Sequence, residues 1–118
     1  MMEIKFRGKR TDNGEWEFGD LIHYNEQILI NIYDTDFGEP ARSIPVFPET
    51  VGQYTGLKDK NGVEIYEGDI VKDKNKQVYE VKFKYGVYWW SIIPIMDAPE
   101  PIEVIGNIHD NPELVEAQ

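Results

Sequence analysis

Along "VYEVKFKYG" the large apolar residues fall at every second position, with Tyr79, Val81, Phe83 and Tyr85 on one side and Glu80, Lys82 and Lys84 on the other. A period of two marks a strand with one face in a core and one in water. The polar "KDKNKQ" before it reads as a hairpin loop. After it, Gly86 turns the chain into "VYWWSIIPI", whose aromatic and β-branched residues predict the return strand. Pro94 ends that strand or sets it at a sheet edge, because proline has no N–H to donate.

The opening "EIKFRG" alternates in the same way and places Ile4 and Phe6 inward. An Asn13-Gly14 turn follows, and "EWEFGDLIHY" and "QILINIY" predict two further strands separated by Asn25 and Glu26. Pro40, Pro45 and Pro48 crowd the stretch from Asp34 to Pro48, which therefore reads as an irregular surface excursion. At the end, Asn111 offers an N-cap, Pro112 a first helical position and Glu113 an acidic first turn, for one short helix at most.

The middle of the chain, "QYTGLKDKNGVEIYEGDIVK", is dense in turn residues. Asn61-Gly62 predicts a hairpin tip of type I′, in which both central residues take positive φ. Glu67-Gly68-Asp69 predicts a second tight corner six residues on. Two corners this close curl a ribbon into a small barrel. The run Asn13-Gly14, strand, Gly19-Asp20 echoes Asn61-Gly62, strand, Gly68-Asp69, but the glycines are five residues apart in one and six in the other. A one-residue offset reverses side-chain facing, so the two runs cannot superpose without a bulge and are read as recurring turn chemistry.

Composition sharpens this picture. At 118 residues the chain is long enough for a single domain over 1–118 with one core, and 13% aromatic content lets a few large rings build it. The formal charge of −10 is uneven: +3 over residues 1–10, −8 over 11–50, +1 over 51–90 and −6 over 91–118. Duplex binding needs clustered cations, so this balance disfavours nucleic acid. The local exception is Lys72, Lys74, Lys76, Lys82 and Lys84 among Tyr79, Tyr85, Tyr88, Trp89 and Trp90, a ribbon of the kind that holds a single strand by stacking and charge. The plainer reading is lysines on a solvated face. The absence of cysteine excludes a disulfide framework and agrees with a reducing cytoplasm. No apolar run reaches the length of a membrane span.

Candidate chemistry is sparse. Asp59, Asn61 and Glu64 faintly resemble a calcium loop but lack its spacing, and turn formation explains them better. Asp34 and Asp36 are read likewise. His23 and His109 have carboxylates nearby in sequence, yet no serine or threonine is marked as a nucleophile. Gly52, Gly56 and Gly62 lack the helix and the Gly-Lys-Ser/Thr ending of a phosphate loop. Catalytic residues, metals and cofactors are therefore not assigned. Tyr88, Trp89 and Trp90 are the candidate interaction residues. Neighbours on a strand face opposite ways, so Trp89 and Trp90 cannot share one core face. One ring needs a cover from the chain or a partner.

Four segments, "IKFRG", "GDLI", "VGQYTGLKDKNGVEIYEGDIV" and "VIGNIHDNPEL", resemble in that order the YopX family of small phage and prophage proteins. The resemblance spans nearly the whole chain. Its most specific part contains the turn-forming Tyr54, Thr55, Gly56, Asp59, Gly62, Gly68 and Asp69. It implies a mainly β fold, a small SH3-type barrel with extra N-terminal strands, and a phage or prophage origin in a bacterial cytoplasm. It also implies a multimeric assembly, and no established activity. The expected function is a non-catalytic, self-associating module that binds an unidentified phage or host protein. The alternatives are single-strand binding through the Lys/aromatic ribbon and an acidic mimic of nucleic acid.

Overall fold

The computed structural model describes residues 4–34, 39–84, 87–90, 93–94 and 102–116, with side chains placed for 4–32, 42–82 and 102–115. The chain is mainly β, its sheets are antiparallel, and its only described α-helix is α1 (Glu113–Glu116). The expected fold class holds. Among the described residues the strands form one six-stranded and two three-stranded sheets; no complete barrel is found, although an isolated antiparallel bridge between Arg10 and Val46 adds a further pairing within the first unit. Two compact units divide the chain, Met1–Tyr54 and Thr55–Gln118.

In the first unit, β1 (Phe6–Lys9), β2 (Trp16–Tyr24), β3 (Gln27–Asp34) and β4 (Glu39–Pro45) lie in the order β4-β3-β2-β1. Phe6 and Arg7 pair on the far side with Gln53 and Gly52, the first residues of β5 (Gly52–Lys58). Ile30 is fully buried, and its register neighbours Leu21 on β2 and Ile44 on β4 share its side of the sheet. Val46 completes this apolar side, packing so close to Gly8 that a Cβ there would lie 2.9 Å from a Val46 methyl.

Three expectations for this unit are corrected. Ile4 is not inward: it is 68% exposed, whereas Phe6 is half-buried and the buried residues of β1 are Arg7, at 7%, and Gly8. Within the stretch from Asp34 to Pro48 the described residues are not irregular, because Glu39–Pro45 pairs with β3 and Pro48 opens the 3₁₀ turn Pro48–Thr50; residues 35–38 lie outside the described ones. As the edge strand, β4 tolerates proline, since an outward N–H bonds nothing in the sheet. The alternation of buried Ile44, exposed Pro45 and buried Val46 was the missed signal. Finally, Gly19 is no corner. It lies within β2, where an added Cβ would stand only 2.2 Å from the Asn31 carbonyl oxygen, so glycine serves close backbone approach.

In the second unit, β6 (Glu64–Tyr66) lies beside β5. The strands β7 (Asp69–Lys72), β8 (Val78–Glu80) and β12 (Glu103–Asn107) run in the order β12-β7-β8. A separate sheet joins β9 (Lys82–Lys84), β10 (Val87–Trp90) and β11 (Ile93–Pro94), with Pro94 on an edge strand as expected. Ile65, Val71, Val81 and Ile102 form the core, flanked by Leu57, Tyr79 and Val104. The predicted strand 79–85 is broken at Val81. Its N–H donates to the Asp69 carbonyl and its carbonyl accepts from Gly68 N–H, which ties it to the corner before β7.

The turns differ from expectation in type. Only Gly62 of Asn61-Gly62 has positive φ, +83°, so the tip is a three-residue loop closed by Asp59 and Val63 and not a type I′ turn. Positive φ at two consecutive positions occurs instead at Asn25 and Glu26, between the paired Tyr24 and Gln27. The repeated unit in this chain is also a different one. Asp59-Lys60-Asn61-Gly62-Val63 and Asp73-Lys74-Asn75-Lys76-Gln77 share one hydrogen-bond plan. In each, the aspartate N–H donates to the fifth residue's carbonyl and its carboxylate accepts from the third and fifth N–H groups at 2.8–3.0 Å. The fourth residue has positive φ in both, +83° at Gly62 and +65° at Lys76.

Candidate functional site

The turn residues that carry the resemblance are structural supports. Thr55 Oγ1 donates to the Ile65 carbonyl at 2.8 Å and accepts from Leu57 N–H at 3.2 Å, bridging the irregular step at Gly56, whose φ is +88°. Asp69 is 2% exposed and accepts Tyr66 N–H at 2.7 Å across the corner where Gly68 has φ +93°. Asp59 reaches furthest: beyond its own loop, Oδ2 accepts Val104 N–H at 2.9 Å and staples the tip to β12. Burial pushes the Asp59 carboxyl pKa up, but the three backbone donors and nearby Lys60 outweigh it and hold the group below the ordinary aspartate value. The carboxylate proposed and set aside as a calcium ligand therefore serves backbone amides. Asp36 lies outside the described residues.

The C-terminal "GNIHDNPEL" is held by side chains too. Asn107 Oδ1 accepts from the N–H groups of His109 and Asp110, at 3.0 and 2.9 Å. Asn111 Oδ1 accepts from Asn107 N–H at 3.3 Å, so the predicted N-cap secures the turn before the helix and not the helix itself. Gly106 belongs to this knot, because a Cβ there would lie 2.6 Å from Asn111 Oδ1.

For Tyr88, Trp89 and Trp90 the backbone is described, paired with Phe83 and Lys82 on one side and with Ile93 and Pro94 on the other. Their side chains lie outside the described ones. Within the Lys/aromatic ribbon, Lys74 and Lys76 sit on the exposed β7–β8 loop and Lys82 is exposed. Tyr79 is bonded to Asp73, and desolvation followed by the Asp73 charge and hydrogen bond raises its phenol pKa.

A surface that sequence reasoning passed over lies on the first unit. Lys5, Arg7 and Lys9 alternate along β1 and so share one side of the sheet. The ladder registers set a ring column on each flank. Trp16 is opposite Lys9 and Phe18 opposite Arg7 on β2, while Phe47 donates its N–H to the Lys9 carbonyl and Tyr54 to the Lys5 carbonyl. Each cation lies over a ring: Lys5 Nζ is 5.5 Å from the Tyr54 centroid, Arg7 Cζ 4.7 Å and Lys9 Nζ 5.6 Å from that of Trp16. Such contacts contribute roughly 0.5–1 kcal/mol each at exposed sites. Arg7 and Tyr54 are buried and form the floor; Phe18 and Phe47 are 46% and 40% exposed.

Arg10, the fourth cation of the first ten residues, points away from this face. Its guanidinium grips both carboxylate oxygens of Asp12 at 2.8–2.9 Å and Glu17 at 3.0 Å, raising its own pKa and lowering that of Asp12. By ladder alternation Asp20 shares the side of Trp16 and Phe18, so this face carries three cations, a carboxylate and the exposed rings of Phe18 and Phe47. Its missed signal was the Lys5, Arg7, Lys9 alternation beside Trp16 and Phe18.

These features define a small antiparallel β protein whose recurring sequence blocks are turn-building elements. A profile described as YopX protein matches residues 5–116, and the chain belongs to the YopX family. The structure is similar to the crystal structure of protein EF1440 from Enterococcus faecalis, with a TM-score of 0.61 and 26% identity, over 98% of this chain and 99% of that one. A comparison with curated proteins returns no match.

Proposed function

We propose that this chain is a non-catalytic, self-associating protein-binding module of phage or prophage origin, working in the bacterial cytoplasm. The observation that carries the reading is the exposure of large apolar side chains on the first unit: Ile4 at 68%, Phe18 at 46%, Tyr24 at 65% and Phe47 at 40%. Single exposed apolar residues are ordinary, but rings gathered on one sheet face favour a partner. By ladder alternation Phe18, Phe47 and Tyr24 lie on the same side as Trp16. Large rings of this kind supply most of the binding energy at protein interfaces.

Support for a non-catalytic role comes from the use made of buried polar groups. Asp59 and Asp69 accept backbone N–H groups, Thr50 and Thr55 donate to backbone carbonyls, and Asn31 accepts from Ser43. Each is engaged in holding a turn or a strand pair. Light scattering after size exclusion at micromolar concentration tests the reading. A mass above one chain is expected; a strict monomer across the accessible concentration range refutes it.

A further inference from the structure

We propose that the Asp59–Val63 loop is an edge guard, which keeps the outward side of β12 closed to strand addition by a second copy of this chain. In the order β12-β7-β8, β12 pairs with β7 and ends its sheet. An edge strand presents a row of N–H and C=O groups that another strand can bond. Glu103 pairs with Lys72, and alternate residues of an antiparallel strand turn their backbone groups to opposite sides. Ile102 and Val104, on either side of Glu103, therefore direct theirs outward.

The loop takes both. Lys60 N–H donates to the Ile102 carbonyl at 3.0 Å, and Asp59 Oδ2 accepts from Val104 N–H at 2.9 Å. One donor and one acceptor from neighbouring residues thus stand where an added strand would offer its own. The Glu103 side chain fastens the same loop, accepting from Asn61 Nδ2 at 3.4 Å and pairing with Lys60 Nζ at 3.6 Å. Further along β12, Asn111 Oδ1 accepts from Asn107 N–H and would meet a Cβ at Gly106 at 2.6 Å. A second β12 is the occupant that a bared edge suits. Antiparallel partners exchange an N–H and a C=O, so two identical edges satisfy each other about a two-fold axis. The edge belongs to the second unit and owes nothing to the exposed rings of the first.

Asp59→Asn tests the guard. The amide oxygen still accepts from Asn61 and Val63 N–H, while the NH₂ group meets Val104 N–H donor to donor, so the loop is kept and the edge contact is lost. Mass by light scattering at about 100 µM is expected to rise about twofold over wild type. Asp73→Asn is the control, because Asp73 accepts the equivalent two N–H groups of the matching loop on the β7–β8 turn; its mass is expected to stay at the wild-type value. Adding Val104→Pro to Asp59→Asn removes the outward donor and is expected to restore the wild-type mass. Hydrogen exchange on unaltered protein decides the matter even where a variant fails to fold: Val104 N–H is expected to be protected together with Asn61 and Val63, since one carboxylate holds all three. A Val104 N–H exchanging as a free amide overturns the guard. So does a folded Asp59→Asn, checked by circular dichroism, whose mass equals wild type. A rise shared by Asp73→Asn, or one that survives Val104→Pro, also overturns it, because β12 is then not the contact. A monomeric wild type refutes self-association alone, and the doubling is still read in Asp59→Asn.

Discussion

Replacing Lys76 by glycine is expected to stabilise the protein, although it removes a side chain and adds no contact. Lys76 occupies the fourth position of the Asp73–Gln77 loop at φ +65°, while the matching position of the Asp59–Val63 loop is Gly62 at φ +83°. For a residue with a Cβ this region costs roughly 1–2 kcal/mol, and glycine is free of that cost. Glycine also loosens the unfolded chain, which returns about 0.5–1 kcal/mol of the gain. The net expectation is about 0.5–1 kcal/mol in favour of Lys76→Gly. With an unfolding entropy of about 2.1 cal/mol/K per residue, a chain of this length gains about 2–4 °C in midpoint. The reciprocal change isolates the cause. An added Cβ at Gly62 meets nothing within 4 Å, so Gly62→Ala carries the backbone cost without a clash and is expected to lose about 1 kcal/mol. Thermal and urea unfolding of the two variants measure both values. A Lys76→Gly midpoint at or below wild type, with Gly62→Ala neutral, refutes the argument that shared loop geometry sets these costs.

Asp59→Ala strips acceptors from three N–H groups in two segments and is expected to cost about 3–5 kcal/mol, read by urea denaturation. The folded Asp59 pKa lies below the ordinary 3.8, so the charge-dependent stabilisation is complete above that value and is lost as pH falls through the folded one. Accordingly, the stability gap between wild type and Asp59→Asn is expected to be open at about pH 6 and to narrow below about pH 4; a constant gap contradicts the assignment. Gly19→Ala is expected to be severely destabilising, since its Cβ would meet the Asn31 carbonyl oxygen at 2.2 Å, whereas Gly14→Ala meets nothing within 4 Å and should lose only about 1 kcal/mol. Thr55→Val leaves the Ile65 carbonyl and the Leu57 N–H without their shared hydroxyl, for an expected loss of about 1–3 kcal/mol in the same assay.

Strand content was legible because alternation is a local property. The segments around Trp16–Tyr24, Gln27–Asp34 and Val87–Trp90 were readable from period and turn residues alone, as was the hairpin at Asp73–Gln77. Prolines misled at Glu39–Pro45, where a ban on ladder donors was taken as a ban on pairing; a proline nitrogen turned away from β3 loses no bond to it, and the Pro45 carbonyl still accepts from Thr11 N–H. Facing misled at β1. Apolar Ile4 ends up 68% exposed and charged Arg7 buried, because a guanidinium stacked on Trp16 is sheltered without losing its charge to an apolar core. The cation and ring face went unread because its columns come from residues 5–9, 16–18, 47 and 54, which only strand pairing brings together.

From the sequence alone come the β class, the positions of most turns, the short terminal helix and the acidic balance, since each depends on backbone preference, side-chain period or charge within a few residues. Tertiary structure decided that Arg7 of β1 is buried while Ile4 before it is exposed, and which loops share one hydrogen-bond plan. It also decided that Asp59 fastens its loop to Val104 and that three cations stand between two columns of rings. Those outcomes depend on register between distant strands. Many pairings compete for each strand, and packing and backbone hydrogen bonds summed over the whole sheet select one of them.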